Sequence, residues 1–354
     1  EPAPAPPARL APGQTPTPSL SPTPEATFTP TITPTPLPVA RVGVGDHAFF
    51  NGEYETALIH YQTAFNDSPD PFVRASAKWG EARIYFAQEH YQDAINTLQT
   101  LLLEYLQSPY IGQAYFLQGL ANYRLENYQA AADSWQSYLT ARPGYLDAYA
   151  QELRGDALFD AGNFTEALSA YTAAIQAPSL GDDIDLDLKV ASTDIKLKDY
   201  EAALALYDGI TARTPNDYVK AEVAYDSGTA YQALGRNDEA LGKFRQAVEN
   251  YPISNYAYLS LVALLDANVE VSGLDRGLVD YYAGQYDVAI HRLDIFIAAN
   301  PVNDGTAYYY RALAKRGMNL YDEAVQDLST FIASYPTHSR WGDAGGEMAD
   351  IQRY

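Results

Sequence analysis

"AGNFTEALSAY", residues 161–171, decides the fold, because the chain repeats nearly the same phrase along its length. "NGEYETALIHY" stands at 51–61, "LENYQAAADSW" at 125–135, "LKDYEAALALY" at 197–207 and "AGQYDVAIHRL" at 283–293. Aligned on the aromatic that opens the second half of the phrase, the anchors are Tyr54, Tyr91, Tyr128, Phe164, Tyr200, Asn237, Tyr286 and Tyr321. Their spacings are 37, 37, 36, 36, 37, 49 and 35 residues. Three residues after every anchor stands alanine (Ala57, Ala94, Ala131, Ala167, Ala203, Ala240, Ala289, Ala324). Four further on comes a large apolar residue: Tyr61, Leu98, Trp135, Tyr171, Tyr207, Phe244, Leu293 or Leu328. Nine before each anchor stands only Gly or Ala: Gly45, Ala82, Gly119, Gly155, Ala191, Gly228, Gly277 and Ala312.

A physical device accounts for this pattern. Two helices that cross closely need small residues where their backbones meet, so the pattern predicts Gly or Ala on the first helix against Ala on the second. The bulky residue one turn later is expected to fill the gap beside that contact. Turns such as "NGE", "AGN" and "LGR" join the two helices, and a proline near the end of each unit (69, 109, 143, 178, 215, 252, 301, 336) stops the second one. One hairpin cannot bury its apolar face alone, whereas stacked hairpins can.

Small residue, aromatic, Ala-x-x-x-aromatic, then Pro: this order resembles the tetratricopeptide repeat. Eight copies over residues 41–340 imply an all-α fold, a right-handed superhelical α-solenoid of eight helical hairpins. The 49-residue interval carries a narrower likeness. "YPISNYAYLSLVALLDANVEVSGLDRGLVDYYAGQYDVAI", residues 251–290, resembles the superhelical region that precedes the catalytic domain of bacterial soluble lytic transglycosylases. The Pro/Thr tail followed by "LPVARVGVGDHAFFNGEYETAL" resembles exported members of that group. That family carries its catalytic acid in a Glu-Ser motif, and the chain holds no Glu-Ser dipeptide, so the likeness implies a scaffold and an envelope setting only.

Ahead of the repeats, residues 1–40 form a separate zone with 13 of the chain's 22 prolines, eight threonines and two serines. Proline removes backbone donors and there is no apolar periodicity, so an extended Pro/Thr-rich tail is expected rather than a packed domain. Its threonines (Thr15, Thr17, Thr23, Thr27, Thr29, Thr31, Thr33, Thr35) are candidate O-glycan acceptors. The domain reading is therefore a tail at 1–40 and a solenoid at 41–354. Beginning on Glu1 rather than Met, the chain is expected to have lost a leader and to be exported, extracellular or in the cell envelope.

Composition narrows the chemistry. With 23 basic against 45 acidic side chains the net charge is −22, which repels nucleic acid and anionic membranes. No 18-residue apolar run exists to span a bilayer, and with no cysteine there is no disulfide, thiolate metal site or cysteine nucleophile. The five histidines (47, 60, 90, 291, 338) do not fall at metal-ligand spacing. "GDDIDLD", 181–187, lacks the glycine and distant Glu of a calcium loop, and acidic residues opening a helix explain it better. Neither a phosphate loop nor a nucleophile elbow is present. No catalytic residue, metal site or cofactor is expected.

The groove is the expected functional surface. In the tetratricopeptide family the first helix of each pair lines the concave side. Five residues before the anchor stand Phe49, Phe86, Tyr123, Phe159, Ile195, Gln232, Tyr281 and Arg316. Phe49, Phe86, Tyr123, Phe159 and Tyr281 are the binding candidates, a ladder of rings for a proline-rich peptide or for sugar; packing between neighbouring first helices is the alternative. Family members that clamp a peptide's C-terminal carboxylate use Lys and Asn at 12 and 8 before the anchor. Here those places hold residues such as Trp79, Phe116 and Tyr225, and Asp46, Arg83 and Asp156, so no clamp is encoded. Partners are expected to be protein, another copy included, or cell-wall or other glycan. Head-to-tail filaments are also expected, since "WGDAGGEMADIQRY" shows no evident polar capping helix.

Overall fold

The computed structural model describes residues 37–178 and 184–353, and every element among them is a helix. Sixteen helices form antiparallel pairs: α1 (Pro38–Phe50) with α2 (Tyr54–Asp67), α3 (Pro71–Ala87) with α4 (Tyr91–Glu104), and α5 (Ile111–Arg124) with α6 (Tyr128–Ala141). Next come α7 (Asp147–Asp160) with α8 (Phe164–Gln176), α9 (Ile184–Leu197) with α10 (Tyr200–Arg213), and α11 (Asp217–Ala233) with α12 (Asn237–Asn250). The last pairs are α14 (Gly273–Tyr282) with α15 (Tyr286–Ala299), and α16 (Thr306–Gly317) with α17 (Tyr321–Ser334). Each second helix packs against the first helix of the following unit, so the core is a row of apolar clusters rather than one centre.

One backbone device turns every hairpin. Two residues before each anchor the chain adopts positive φ: Gly52, Glu89, Glu126, Gly162, Lys198, Gly235, Gly284 and Asn319. The following amide then reaches back five residues, as in Glu53 N–H to Ala48 C=O at 2.9 Å and Asn163 N–H to Leu158 C=O at 2.8 Å. This closure satisfies the carbonyls left open at the end of the first helix. Four of the eight sites are glycine, which takes the left-handed conformation without steric cost.

All eight repeat alanines are fully buried, and the eight large residues that follow them are no more than 2% exposed. Where the small residue on the first helix is glycine, a side chain added there would run into that large side chain. A Cβ built on Gly119 would lie 2.5 Å from the Trp135 ring, and one on Gly228 2.4 Å from Phe244. Bulk and absence of bulk are thus paired across each hairpin. Burying a side chain of this size stabilises by about 1.5–3 kcal/mol, and a small residue opposite leaves room for it.

Two helices stand outside the pairing. α13 (Asn255–Asp266) takes the place on α12 that the next first helix occupies elsewhere, burying Ala257, Leu261 and Leu264 beside Phe244 and Val248. It accounts for the 49-residue interval. α18 (Trp341–Ile351) lies on α17 and buries Ala344 and Ile351 against Leu328 and Phe331. Its far side carries Gly342, Asp343, Gly346 and Asp350 in solvent. The expectation of no capping helix is therefore corrected: small and acidic residues outside, with Ala344, Met348 and Ile351 inside, are what cover the last pair. The first helix starts at Pro38, inside the zone read as tail, since proline is tolerated in a helix's first turn.

Candidate functional site

The five ring candidates are half-buried, each packed on the anchor of its own repeat. Phe49 meets Tyr54 at 5.8 Å between centroids, Phe86 meets Tyr91 at 5.4 Å, and Tyr123 meets Tyr128 at 5.4 Å. Phe159 meets Phe164 at 5.2 Å, and Tyr281 meets Tyr286 at 5.9 Å. These pairs brace the hairpin turn. Some also reach the neighbouring repeat: the Tyr123 hydroxyl donates to Asp160 at 2.6 Å, which together with burial raises its pKa above the usual tyrosine value. The Arg83 guanidinium lies over Phe49, 4.7 Å from its centroid.

The positions where a carboxylate clamp would sit bind repeats to one another. Tyr61 donates to Asp46 at 2.7 Å, and Arg83 donates to the same carboxylate at 2.5 Å. One hundred and ten residues on, the arrangement recurs with lysine: Tyr171 donates to Asp156 at 2.8 Å, while Lys189 donates to Glu152 at 2.6 Å and to Asp156 at 2.9 Å. Burial alone would lower the Lys189 pKa, but these two bonds outweigh it and hold the ammonium above its ordinary value. Charges committed in this way have little left to offer a ligand.

Among the open cavities of the described residues is one of about 460 Å³ at the edge where α5 and α7 begin. It is lined by Trp79 of α3, Gln113, Phe116 and Leu117 of α5, Tyr138 of α6, and Arg142, Tyr145 and Leu146 of the α6–α7 connection. Gly144 at φ +83° turns that connection, and its N–H donates to the Asp147 carboxylate at 2.9 Å, fixing where the Tyr145–Leu146 step projects. The Arg142 stem lies where a Cβ on Gly112 would fall, and its Nη2 donates to the Pro109 carbonyl at 2.9 Å. Rings surround the cavity: Phe116 meets Tyr138 edge-on at 5.2 Å, and Trp79 stacks on Tyr110 at 5.9 Å. Tyr145 is 73% exposed.

Sequence reasoning placed Trp79 and Phe116 on the groove side but used them only to dismiss a clamp. It missed Tyr145, Leu146 and Tyr138. The available signal was "RPGYL", 142–146, where an aromatic–aliphatic step follows a Pro-Gly turn between two helices. The threonine candidates of the tail lie outside the described residues, as does Asp183 of the "GDDIDLD" stretch. Asp185 and Asp187 open α9, where Arg213 pairs with Asp187. Among the described residues, no three His, Asp or Glu side chains are grouped to hold a metal ion, and no helix is long and apolar enough to cross a membrane.

Comparison with known proteins bears on the whole array. The family described as the tetratricopeptide repeat matches residues 80–145, 138–181, 225–271 and 274–341, more than half of the chain. None of the curated proteins matches it by sequence. Among solved structures, a tetratricopeptide repeat protein from Parabacteroides merdae is 11% identical, with a TM-score of 0.44, over 89% of this chain and 98% of that one. The C-terminal part of a repeat-containing protein from Cytophaga hutchinsonii is 20% identical, with a TM-score of 0.42, over 74% and 97%. MamA from Desulfovibrio magneticus is 16% identical, with a TM-score of 0.41, over 49% and 93%.

Proposed function

The chain belongs to the tetratricopeptide repeat family, and from that premise we propose that it is an exported, non-catalytic scaffold that holds a partner protein in the Trp79–Phe116–Tyr145 cavity. The observation that carries the reading is the contrast between that cavity and the rest of the groove. Elsewhere the clamp-position charges are spent on repeat-to-repeat contacts, whereas this cavity is lined mostly by apolar and aromatic side chains, with Tyr145 73% exposed and the Trp79 indole N–H making no hydrogen bond among the described residues. Exposed aromatic side chains around an apolar patch are a feature of protein-recognition surfaces. A photocrosslinking residue in place of Tyr145 in the source cell tests it. Adducts with a second polypeptide support the scaffold; equal adduct yield at the exposed Ile59 of α2, or turnover of a glycan by the purified chain, overturns it. Glycan is a secondary ligand class, since sugar rings stack on the same aromatic faces. Export and O-glycosylation rest on the Pro/Thr composition of residues 1–36, and intact mass above the polypeptide's 38.9 kDa tests the latter.

Self-assembly into a fibre is favoured by a separate observation. On α1, which has no helix before it among the described residues, Val39 and Phe50 are exposed, and Gly43 faces open space. An uncovered first helix of a solenoid is a stacking surface. Electron microscopy of concentrated protein checks this, and monomers throughout would remove it. The alternative, the superhelical region of a lytic-transglycosylase-like hydrolase, rests on sequence likeness alone.

A further inference from the structure

We propose that the uncovered face of α1 is the docking surface for a second copy of this chain, which seats the outward face of its α18 there and joins the copies head to tail. The inference rests on the reading of α1 as a stacking surface and names what stacks on it.

Register defines the face. Seven residues before the anchor, every later hairpin has a buried residue where its first helix meets the helix before it. Ile84, Ala157, Thr193 and Ala314 stand there, and none of the residues at this place is more than 1% exposed. In α1 the place falls to His47, which is exposed. Around it Val39 is 62%, Val44 44% and Phe50 87% exposed. A Cβ on Gly43 meets nothing, whereas one on Gly80, the equivalent residue of α3, would run into the Tyr61 ring. Positions 40, 43, 47 and 50 share one side of a helix. α1 therefore presents to solvent the same face that later first helices bury, in continuity with the interface between hairpins along the array.

The chain already contains the joint that a second copy would repeat. α13 packs on α12 through Ala257, Leu261 and Leu264 and has no second helix of its own; Val279 of α14 is buried in the same cluster. α18 packs on α17 through Ala344, Met348 and Ile351, at the same spacing of four and then three residues. The turns before the two helices also match. Ser254 N–H donates to Tyr251 C=O at 3.0 Å, and His338 N–H to Tyr335 C=O at 3.1 Å. What α14 is to α13, the α1 of another copy is to α18.

Shape and charge select this occupant. The far side of α18 carries Gly342, Gly346 and Ala349, all exposed, and a Cβ on either glycine meets nothing. Small residues let a second helix come close, and Val39, Val44 and Phe50 then straddle the ridge they leave. α18 carries Asp343, Glu347 and Asp350 and no basic residue. α1 carries Arg41 and His47, and its one acid, Asp46, is held by Tyr61 and Arg83. In a chain of net charge −22, contact between two copies tends to set acid against acid, and this pairing avoids it. The two faces differ, so the contact is heterologous and repeats from copy to copy.

Because the chain contains no cysteine, one thiol can be placed on either face of the full-length protein. His47→Cys and Ala349→Cys chains are mixed, treated with a short bismaleimide and separated on a denaturing gel. Docking predicts a covalent dimer in the mixture and none from either chain alone. Replacing the first partner by Ile59→Cys, on the exposed side of α2, is expected to leave monomers. Gly346→Leu adds bulk where the single chain has open space, so placed in the Ala349→Cys chain it should abolish the dimer without changing helical content. A dimer from His47→Cys alone overturns the proposal, since α1 would then meet the α1 of the second copy. An undiminished dimer with Gly346→Leu overturns it as well. No crosslink in the mixture, with filaments still seen by electron microscopy, overturns the α1–α18 joint and leaves the fibre reading standing; no crosslink and monomers throughout remove both.

Discussion

Gly80 on α3 is the residue whose substitution tests the packing logic most directly. The Tyr61 ring lies between two helices that both lack a side chain where it passes. A Cβ on Gly45 of α1 would come within 2.7 Å of the ring, and one on Gly80 within 2.3 Å. The ring cannot retreat from either, because its hydroxyl is held by Asp46 at 2.7 Å and meets Arg83 at 3.0 Å. Gly80→Ala gains helix propensity worth about 1 kcal/mol. Against this stands an overlap more than 1 Å inside ordinary contact, on a ring with no free side, placing the cost near the ~3 kcal/mol upper end for overpacking. The net is about 2 kcal/mol of destabilisation, on the order of thirty-fold in a local opening constant. A repeat array distributes stability between neighbours, so the loss should be local. Hydrogen exchange of Gly80→Ala should show faster opening in α1–α4 and unchanged rates in α14–α17. Unchanged or slower exchange in α1–α4 would mean that the glycine is there for another reason.

The opposite sign is expected on a solvated face: Gly242→Ala on α12, where a Cβ meets nothing, should raise stability by about 1 kcal/mol, read as slower exchange in α11–α12. Glu126→Gly, at φ +60°, should stabilise the α5–α6 turn by roughly 0.5–1 kcal/mol, seen in a urea titration. Asp327, its side chain 7% exposed, holds Arg311 at 2.5 Å and Lys315 at 2.9 Å, and Asp327→Ala should cost about 1–3 kcal/mol, since Arg311 keeps only the exposed Asp294 and Lys315 only the exposed Glu323. That loss should appear as early melting of α16–α17. Burial first, then Glu222, raises Asp226 from 3.8 to about 6, and burial then Asp199 raises Asp194 equally. Both carboxyls hold their protons more tightly when folded, so their contribution is complete below pH 3.8 and is lost as pH rises through 6. Exchange in α9–α12 should therefore accelerate over that window, and Asp226→Asn should flatten the profile.

What was legible in the sequence is what the repeat constrains. The anchors, the eight alanines and the large residue after each are fixed by helix crossing, and the helices start at those anchors in every unit. Sequence spacing shows which positions are small but not which large side chain lies opposite them. Glycine stands opposite the rings Tyr61, Trp135, Tyr171 and Phe244, yet Gly277 faces Leu293 and Ala191 shares its cluster with Tyr207. α13 was invisible as a separate helix because its apolar residues, Ala257, Leu261 and Leu264, have the same periodicity as a first helix.

The binding surface was less legible for the same physical reason that the fold was plain. A repeat writes its packing at fixed positions, and any side chain at such a position is explained by packing first. Phe49, Phe86, Tyr123, Phe159 and Tyr281 illustrate this, since each sits in register and each is engaged by the anchor of its own repeat. Recognition must then be carried by residues that the repeat leaves free to vary. Trp79 and Phe116 share one register position, yet only between α3 and α7 does the connecting chain, turned by Gly144, bring Tyr145 and Leu146 alongside them. Elsewhere that register holds Val42, Glu152, Leu188, Tyr225, Leu274 or Tyr309, and Glu152 is bonded to Lys189. Specificity in such an array comes from an interruption of the pattern, and "RPGYL" is the interruption that opens a cavity.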